Sequence, residues 1–486
     1  MDAKEIKNIG KKLSAFLKQF DDCFYRSQPR EHLKNYVRGQ VSSLQRKSAE
    51  PIALMTKTPP RTLQRFLSYV HWDQHRLRDR IQWIIVRDHA CPDAVGTVDD
   101  TGNPKKGTHT ACVQRQWCGN TGKKDNCVVS VHIGYTTGDF QCLLDSDLYM
   151  PESWANDPEL RKQAGIPDTA VYRKKTDIAL SQISHALNNG VRVFAWTFDE
   201  WYGKDGDFLD GLQAMGQNYV AEVPVDFTGW VNEPSILLSP RTEKKHKRGR
   251  KRHFPRLSAK ALPPCEVQNL LVYSRKFQKQ KWRKFYIKEG EKGPVVWEVK
   301  FSKFYRKQGE DSLPGPAHSL IIARNVLNPK EVKYFVSNML AGSNDITMEK
   351  LLKIAFSRWP IERCFELAKN EIGMDHFEVR SWNGIHRHMY ISQLSILFCS
   401  RVHQSLREKK FAELVPDRRA GSLCRLGMGS GSKLSTIGSE TGLLSGIGDN
   451  RIPSKTQPTG KRISYPTKAE EVASFGYRSR ETTLLF

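Results

Sequence analysis

Three carboxylates in this chain stand out for where they sit rather than for their charge. Asp99 or Asp100, in Val98-Asp99-Asp100-Thr101-Gly102, follows a short apolar run, and Asp199, in Thr197-Phe198-Asp199-Glu200-Trp201-Tyr202-Gly203, ends a strongly apolar one. Acid just beyond a buried strand costs little only where it reaches water or a cation. The third is Glu362, in Arg358-Trp359-Pro360-Ile361-Glu362-Arg363-Cys364-Phe365-Glu366-Leu367-Ala368-Lys369. Pro360 suits the first turn of a helix, where its missing N–H is no loss. Glu362 and Lys369 are close to two turns apart and share a face, with Arg358 at or just ahead of the helix start. Ile361, Cys364, Phe365, Ala368 and Ile372 form the apolar stripe that docks the helix. One helix thus offers a carboxylate flanked by two cations.

Two strand-end aspartates and a helix glutamate form a set of hard oxygen ligands suited to Mg²⁺ or Mn²⁺. Two such ions about 4 Å apart activate a water or a 3′-hydroxyl and stabilise the leaving oxygen in phosphoryl transfer. Arg358 and Lys369 would hold phosphates beside the scissile bond. The aspartates need no raised pKa, because the ionised form binds metal. Taken singly, each feature has an ordinary reading: a strand-end Asp caps a turn, and an Arg-Glu-Lys helix face is a solvated salt bridge. The coincidence of all three in a strongly basic chain favours the chemistry.

The elements that must carry these residues follow from periodicity. Residues 1–90 read as helical, with Ile6, Ile9, Leu13, Phe16, Leu17 and Phe20 at helix spacing. Ser48 is a candidate N-cap, and a break at Thr58-Pro59-Pro60 precedes a helix carrying Leu63, Phe66, Leu67 and Val70. That pair, with Arg61, Gln64 and Arg65 on the second helix, is either a DNA-reading helix-turn-helix or an ordinary helical hairpin. Over 91–224 the order is strand, strand, strand, helix, strand, helix, strand, which implies a mixed α/β sheet. The helix over 169–189 stops at Gly190. Residues 225–340 read as a β-rich insertion in which LLVYSR, KWRKFYIKEG, PVVWEVKFSKFY, HSLIIARN and EVKYFVSN are strands. The insertion opens with the basic tract 243–253, whose Lys247, Arg248 and Arg250 are candidate phosphate contacts on an otherwise solvated loop. Helical pattern resumes over 341–410, and 411–486 is a Gly/Ser-rich tail.

Composition narrows the partners. The 486 residues carry 77 Lys plus Arg against 52 Asp plus Glu, a formal charge of +25. A basic surface of this kind attracts phosphate backbones. With 38% hydrophobic and 10% aromatic residues the chain is not wholly disordered. It has no apolar run long enough to span a membrane and no apolar stretch in its charged start, so a soluble, cytoplasmic protein is expected, nucleoid-associated if prokaryotic. Ten cysteines form no Cys-x-x-Cys pair. Cys112, Cys118, Cys127 and Cys142 cluster on irregular spacing, which favours buried thiols over a structural metal.

The segment RWPIERCFELAKNEIGMDHFEVRSWNGIHRHM resembles the C-terminal catalytic motif of DDE insertion-sequence transposases, in the cut-and-paste branch whose ribonuclease H-like core carries a β-rich insertion. The family signature has the form Tyr-x-x-Arg-x-x-x-Glu-x-x-x-x-x-x-Lys. Arg358, Glu362 and Lys369 match it; the tyrosine position is Ala355, a departure, with Phe356 adjacent. VDDTGNPKKG resembles the first-aspartate strand and TFDEWYG the second. First motifs of the form Asp-x-Thr favour Asp99, with Asp100 the alternative. The resemblance spans about 90 to 405, weakly over 225–340. It implies an α/β, ribonuclease H-like catalytic core behind a helical N-terminal domain, two Mg²⁺ or Mn²⁺ ions on Asp99, Asp199 and Glu362, and a homodimer on double-stranded DNA. In that reading water attacks at the transposon end and the freed 3′-hydroxyl attacks target DNA. Arg358 and Lys369 grip phosphates, Lys105 and Lys106 beside the first motif add contacts, and Arg61 and Arg65 face the terminal inverted repeats. Trp201, Trp282 and Trp297 are either base-stacking or core residues.

Rival readings are a ribonuclease H-like nuclease or resolvase without strand transfer, and a non-catalytic DNA-binding protein descended from a transposase. A basic membrane-surface protein lacks the amphipathic basic helix it would need.

Overall fold

The computed structural model describes residues 3–138, 140–237, 254–290, 293–309, 313–343 and 346–414. The basic tract 243–253, with Lys247, Arg248 and Arg250, and the tail from 415 lie outside the described residues.

Five helices come first: α1 (Ala3–Leu17), α2 (Ser27–Gln40), α3 (Ala49–Met55), α4 (Pro60–Ser68) and α5 (Gln74–Asp88). Four strands follow: β1 (Val95–Pro104), β2 (Gln114–Cys118), β3 (Lys123–Thr136) and β4 (Gln141–Leu148). Next come α6 (Glu152–Ala155), α7 (Pro158–Ala164), α8 (Lys175–Asn188), β5 (Ala195–Phe198), α9 (Glu200–Gly203), α10 (Gly206–Ala214) and β6 (Tyr219–Val223). The β-rich stretch holds β7 (Thr228–Trp230), β8 (Ile236–Leu237), β9 (Arg256–Leu257), β10 (Cys265–Glu266), α11 (Leu270–Tyr273), α12 (Arg275–Lys279), β11 (Arg283–Gly290), β12 (Gly293–Gln308), β13 (Leu313–Asn325) and β14 (Val332–Ser337). Three helices end the described chain: α13 (Met348–Ala355), α14 (Trp359–Asn370) and α15 (Trp382–Leu414).

At the centre, β1 pairs with β5 and β5 with β6, both in parallel, while β3 runs antiparallel to β1 and β4 antiparallel to β3. This mixed sheet, with helices against it, is the α/β, ribonuclease H-like core expected from the sequence. Strand β5 (AWTF) is buried along its whole length, which explains why it reads as a continuous apolar run.

The β-rich stretch does more than interrupt this core. β14 pairs antiparallel with β6, from Tyr334 against Val223 to Ser337 against Val220, and β13, β12 and β7 continue outward. One sheet therefore runs from β2 to β10. Within it the expected strand LLVYSR is helical instead: only Leu270 is fully buried, while Val272 and Tyr273 point to solvent, so the β-branched and aromatic residues there mark no sheet face. Strand β2 went unread because QRQWC has little apolar content and exposes Arg115 and Trp117 on one side.

The N-terminal helices share one hydrophobic core with the sheet and with α15. Tyr36 on α2 bonds His388 on α15 at 2.9 Å, and the Gln40 side chain bonds Ser392 and Ser395, both at 2.8 Å. Arg387 on α15 donates to the carbonyls of Phe66 and Leu67 at the end of α4, to those of Val70 and Trp72 in the segment after it, and to Gln74 Oε1. Helices α3 and α4 flank a tight turn at Lys57, which takes a positive φ of 52°. Ser48 occupies the N-cap position of α3, but its hydroxyl makes no capping bond. Among the described residues no helix is long and apolar enough to cross a membrane.

Candidate active site

The parallel pairing of β1 with β5 places Val98 beside Phe198, so the next residue on each chain, Asp99 and Asp199, follows at neighbouring positions. Asp199 is also the N-cap of α9: its Oδ1 accepts the backbone N–H groups of Trp201 at 3.1 Å and Tyr202 at 3.2 Å. That cap turns the chain sharply after the strand and fixes the carboxylate.

Strand alternation separates Asp99 from Asp100. Asp99 shares the face of Thr97. On that face Gly134, directly opposite Thr97, lets α14 come so close that an added Cβ would meet Ile361 Cδ1 at 2.9 Å. Asp100 faces the other way and pairs with Lys175 at the start of α8, Nζ to Oδ2 2.9 Å. Of the two, Asp99 is the one in the electrostatic reach of Arg358.

Arg358 is the hub of the cluster. Its Nη1 donates to Glu362 Oε1 at 2.5 Å, and its Nε lies 3.7 Å from Glu222 Oε2 on β6. Burial works against its charge, but Glu362, Asp99, Glu222 and Asp199 outweigh burial and lift its pKa above the ordinary range. Burial raises the Asp99 carboxyl well above its usual value, and the charges of Asp199 and Asp100 add to this while Arg358 opposes it. Burial likewise raises Asp199, against the backbone N–H of Tyr202 and the charge of Arg358. The sequence reading needed no raised carboxylate. The structure has two, because both carboxyls are buried and neighbouring acids add to the effect.

The phenol of Tyr202 is fully buried beside these acids, and burial followed by Asp100, Asp99 and Asp199 pushes its pKa well up, with a side-chain hydrogen bond to Asp100 adding to the rise. Crowded carboxylate oxygens of this kind, Asp99 beside Asp199, are hard donors that fit a divalent cation in chemistry. Among the described residues no group of three or more His, Cys, Asp or Glu side chains is arranged to hold a metal ion, and the Glu362 carboxylate is held by Arg358.

The other residues singled out from sequence divide clearly. Lys369 is half-buried, its pKa lowered by burial against the pull of Asp375, Cys118 and Asp99, and its Nζ lies 3.5 Å from Asn120 Oδ1. Lys105 turns inward: Nζ donates to the carbonyls of Asp375 at 3.0 Å and Phe377 at 2.9 Å and sits over the Phe377 ring. It braces the loop after α14 rather than facing solvent. Lys106, Arg61 and Arg65 are exposed. Trp201 is 40% exposed beside Asp199, flanked by Lys175 and Lys204, whereas Trp297 is buried against Phe356 and Trp282 packs under Lys300 and Arg324. Ala355 is buried at the end of α13, so no phenol stands at that signature position, and Phe356 packs on Trp297 and Phe335. The cysteines of the described residues are free thiols, with Cys112, Cys118, Cys127 and Cys142 buried.

Sequence reasoning missed Glu222, Lys175 and Tyr202. Glu222 carried a readable signal, an acid inside the apolar strand Tyr219–Val223; the other two become significant only once the strand ends are brought together.

The model of the family "DDE superfamily endonuclease" matches residues 19–294, a span that includes Asp99 and Asp199 and ends before Glu362. A probable transposase for insertion sequence element IS701 from Microchaete diplosiphon is 29% identical over 187 residues, 38% of this chain and 46% of that protein. The chain therefore spans less than half the length of that relative. With a ribonuclease H-like sheet, two aspartates placed where the parallel pairing of β1 with β5 stops, and a family match over more than half its length, the chain belongs to the DDE superfamily of endonucleases.

Proposed function

We propose that the chain is a DNA transposase that cleaves at transposon ends and joins the freed 3′-hydroxyl to target DNA. The observation that carries this reading is the adjacency of Asp99, within β1, and Asp199, just past β5, where the parallel pairing of the two strands stops, under a helix that presents Arg358 and Glu362 on the same face. Asp99, Asp199 and Glu362 would hold the divalent cations, Glu362 being the one that Arg358 bonds in the free protein. Two Mg²⁺ or Mn²⁺ ions supply activation of the attacking oxygen and stabilisation of the leaving one. The protein's own part is positional. The α9 cap fixes Asp199, and Arg358 and Lys369 take the charge of phosphates on either side of the scissile bond.

Further out, the exposed Arg61, Gln64 and Arg65 of α4 face the terminal inverted repeats, Lys106 adds a backbone contact, and two copies hold the two ends. Lys247, Arg248 and Arg250 add phosphate contacts in the same reading. In domain terms, 1–90 binds the ends, 91–224 with 341–410 form the catalytic core, 225–340 extends the sheet, and 411–486 is a tail.

The experiment is an end-cleavage and joining assay on DNA carrying the element's inverted repeats, with Mg²⁺ or Mn²⁺. Nicked ends and joined product support the reading. Cleavage without joining of pre-cut ends reduces it to a nuclease, and DNA binding without cleavage reduces it to a binding protein.

A further inference from the structure

We infer that the β2–β3 hairpin is a DNA-contacting blade beside the carboxylates, with its cations on phosphates of the strand next to the scissile bond and Trp117 stacked on an unpaired base. This rests on the transposase reading and gives it a surface that the sequence motifs do not mark.

The pairing of β2 with β3 sets Arg115 opposite Asn126 and Trp117 opposite Lys124. Directly opposed residues point to the same side, so Arg115, Trp117 and Lys124 line one face about two strand residues, or roughly 7 Å, long. Arg115 and Lys124 are exposed, and the Trp117 indole is 62% exposed. The Asn126 amide on that face donates to the carbonyls of Lys105 and Gly107, which fixes the loop carrying the exposed Lys106 alongside. Among the described residues none of Lys106, Arg115 and Lys124 forms an ion pair with a carboxylate. Trp117 stands in water beside these cations, which no carboxylate of the described residues pairs. The combination matches the two components of strand binding, charge for the backbone and an aromatic face for a base.

The hairpin is anchored to the site. Gly102, three residues past Asp99 on β1, has no side chain because Cys118 at the end of β2 lies against it; an added Cβ would meet Cys118 Sγ at 2.8 Å. The turn that follows, closed by the N–H groups of Thr121 and Gly122 on the Cys118 carbonyl, brings Asn120 to Lys369, which itself feels the Asp99 charge. A strand whose scissile phosphate lies at Asp99 and Asp199 therefore meets Lys369 first and the hairpin face next.

The test measures binding of the full chain to a 30-base-pair duplex, blunt or with a short 3′ single-stranded overhang, by fluorescence anisotropy over a salt series. Wild type should prefer the overhang. Trp117→Ala should lose about tenfold on the overhang probe and little on the blunt one, with Trp117→Phe recovering most of the loss. Arg115→Ala combined with Lys124→Ala should weaken both probes and lower the slope of log affinity against log salt by about 1.5. All these side chains are exposed, so the melting temperature should not move. Hairpin variants that bind both probes as wild type does, with the same slope, overturn the proposal even if the protein cleaves DNA with Mg²⁺. Wild type that neither binds nor cleaves DNA overturns the transposase reading, and the hairpin proposal with it.

Discussion

Gly134→Ala tests whether the seating of α14 on the sheet sets the geometry of the carboxylates. The added methyl would lie 2.5 Å from Thr97 Oγ1 and 2.9 Å from Ile361 Cδ1, where ordinary contact begins at 3.4 Å. Thr97 can rotate, but Ile361 belongs to the buried stripe beneath α14 and has little room. The helix must lift by about half an ångström, and Glu362, the next residue, moves with it. Overpacking of this kind costs about 1–3 kcal/mol, read as a fall of several degrees in melting temperature. Because misplacement by about 1 Å can cost a hundredfold in rate, half of that should slow end cleavage by about tenfold. The assay is single-turnover cleavage at a temperature where the variant is fully folded. Adding Thr97→Ala and Ile361→Val to Gly134→Ala removes both clashing atoms and should restore most of the rate. A folded Gly134→Ala protein that cleaves at the wild-type rate would refute the argument that close docking of α14 matters.

Other expectations follow from single contacts. Arg387→Ala removes the donor shared by the carbonyls after α4 and should cost about 3–4 kcal/mol in urea unfolding; Arg387→Lys should not rescue it, since one ammonium cannot span those acceptors, and a loss under about 1 kcal/mol contradicts the capping role. Tyr202→Phe deletes the buried hydroxyl bonded to Asp100, so it should cost about 1 kcal/mol in stability while lowering cleavage; unchanged cleavage would mean that the phenol has no part in the reaction. Burial holds the His388 and His318 imidazoles at about 4, below the ordinary 6.5. Between those values the unfolded chain binds protons that the folded chain does not, so stability is whole above pH 6.5 and falls with pH, by about 1 kcal/mol per imidazole at pH 5.5. Urea midpoints that stay flat from pH 7 to 5.5 would contradict this.

The parts of the fold legible in the sequence were those written in strong periodicity. The buried run at β5 and the Pro360 start of α14 emerge where the residues indicate, and α8 ends before Gly190 as expected but begins at Lys175, six residues later than the periodicity from 169 suggests. Local pattern failed where burial was decided at a distance. QRQWC became a strand through pairing with β3, and LLVYSR became helical because its apolar side chains had no sheet to face. Site residues show the same division. Acids after apolar runs were conspicuous, but that Asp99 and Asp100 face opposite ways, with Lys175 paired to Asp100, emerges only from the pleat. Lys105 looked like a phosphate contact from its charge alone, and only the fold reveals that it is held by two carbonyls and a ring.

The central claim is that Asp99, Asp199 and Glu362 together hold divalent cations on bound DNA. The most direct measurement is Mn²⁺ binding to the protein–DNA complex, read by electron paramagnetic resonance, for wild type and for Asp99→Asn, Asp199→Asn and Glu362→Gln. The account predicts tight, DNA-dependent binding in wild type that weakens by at least tenfold in each variant. Wild-type Mn²⁺ affinity in all three variants, with DNA still bound, would contradict it.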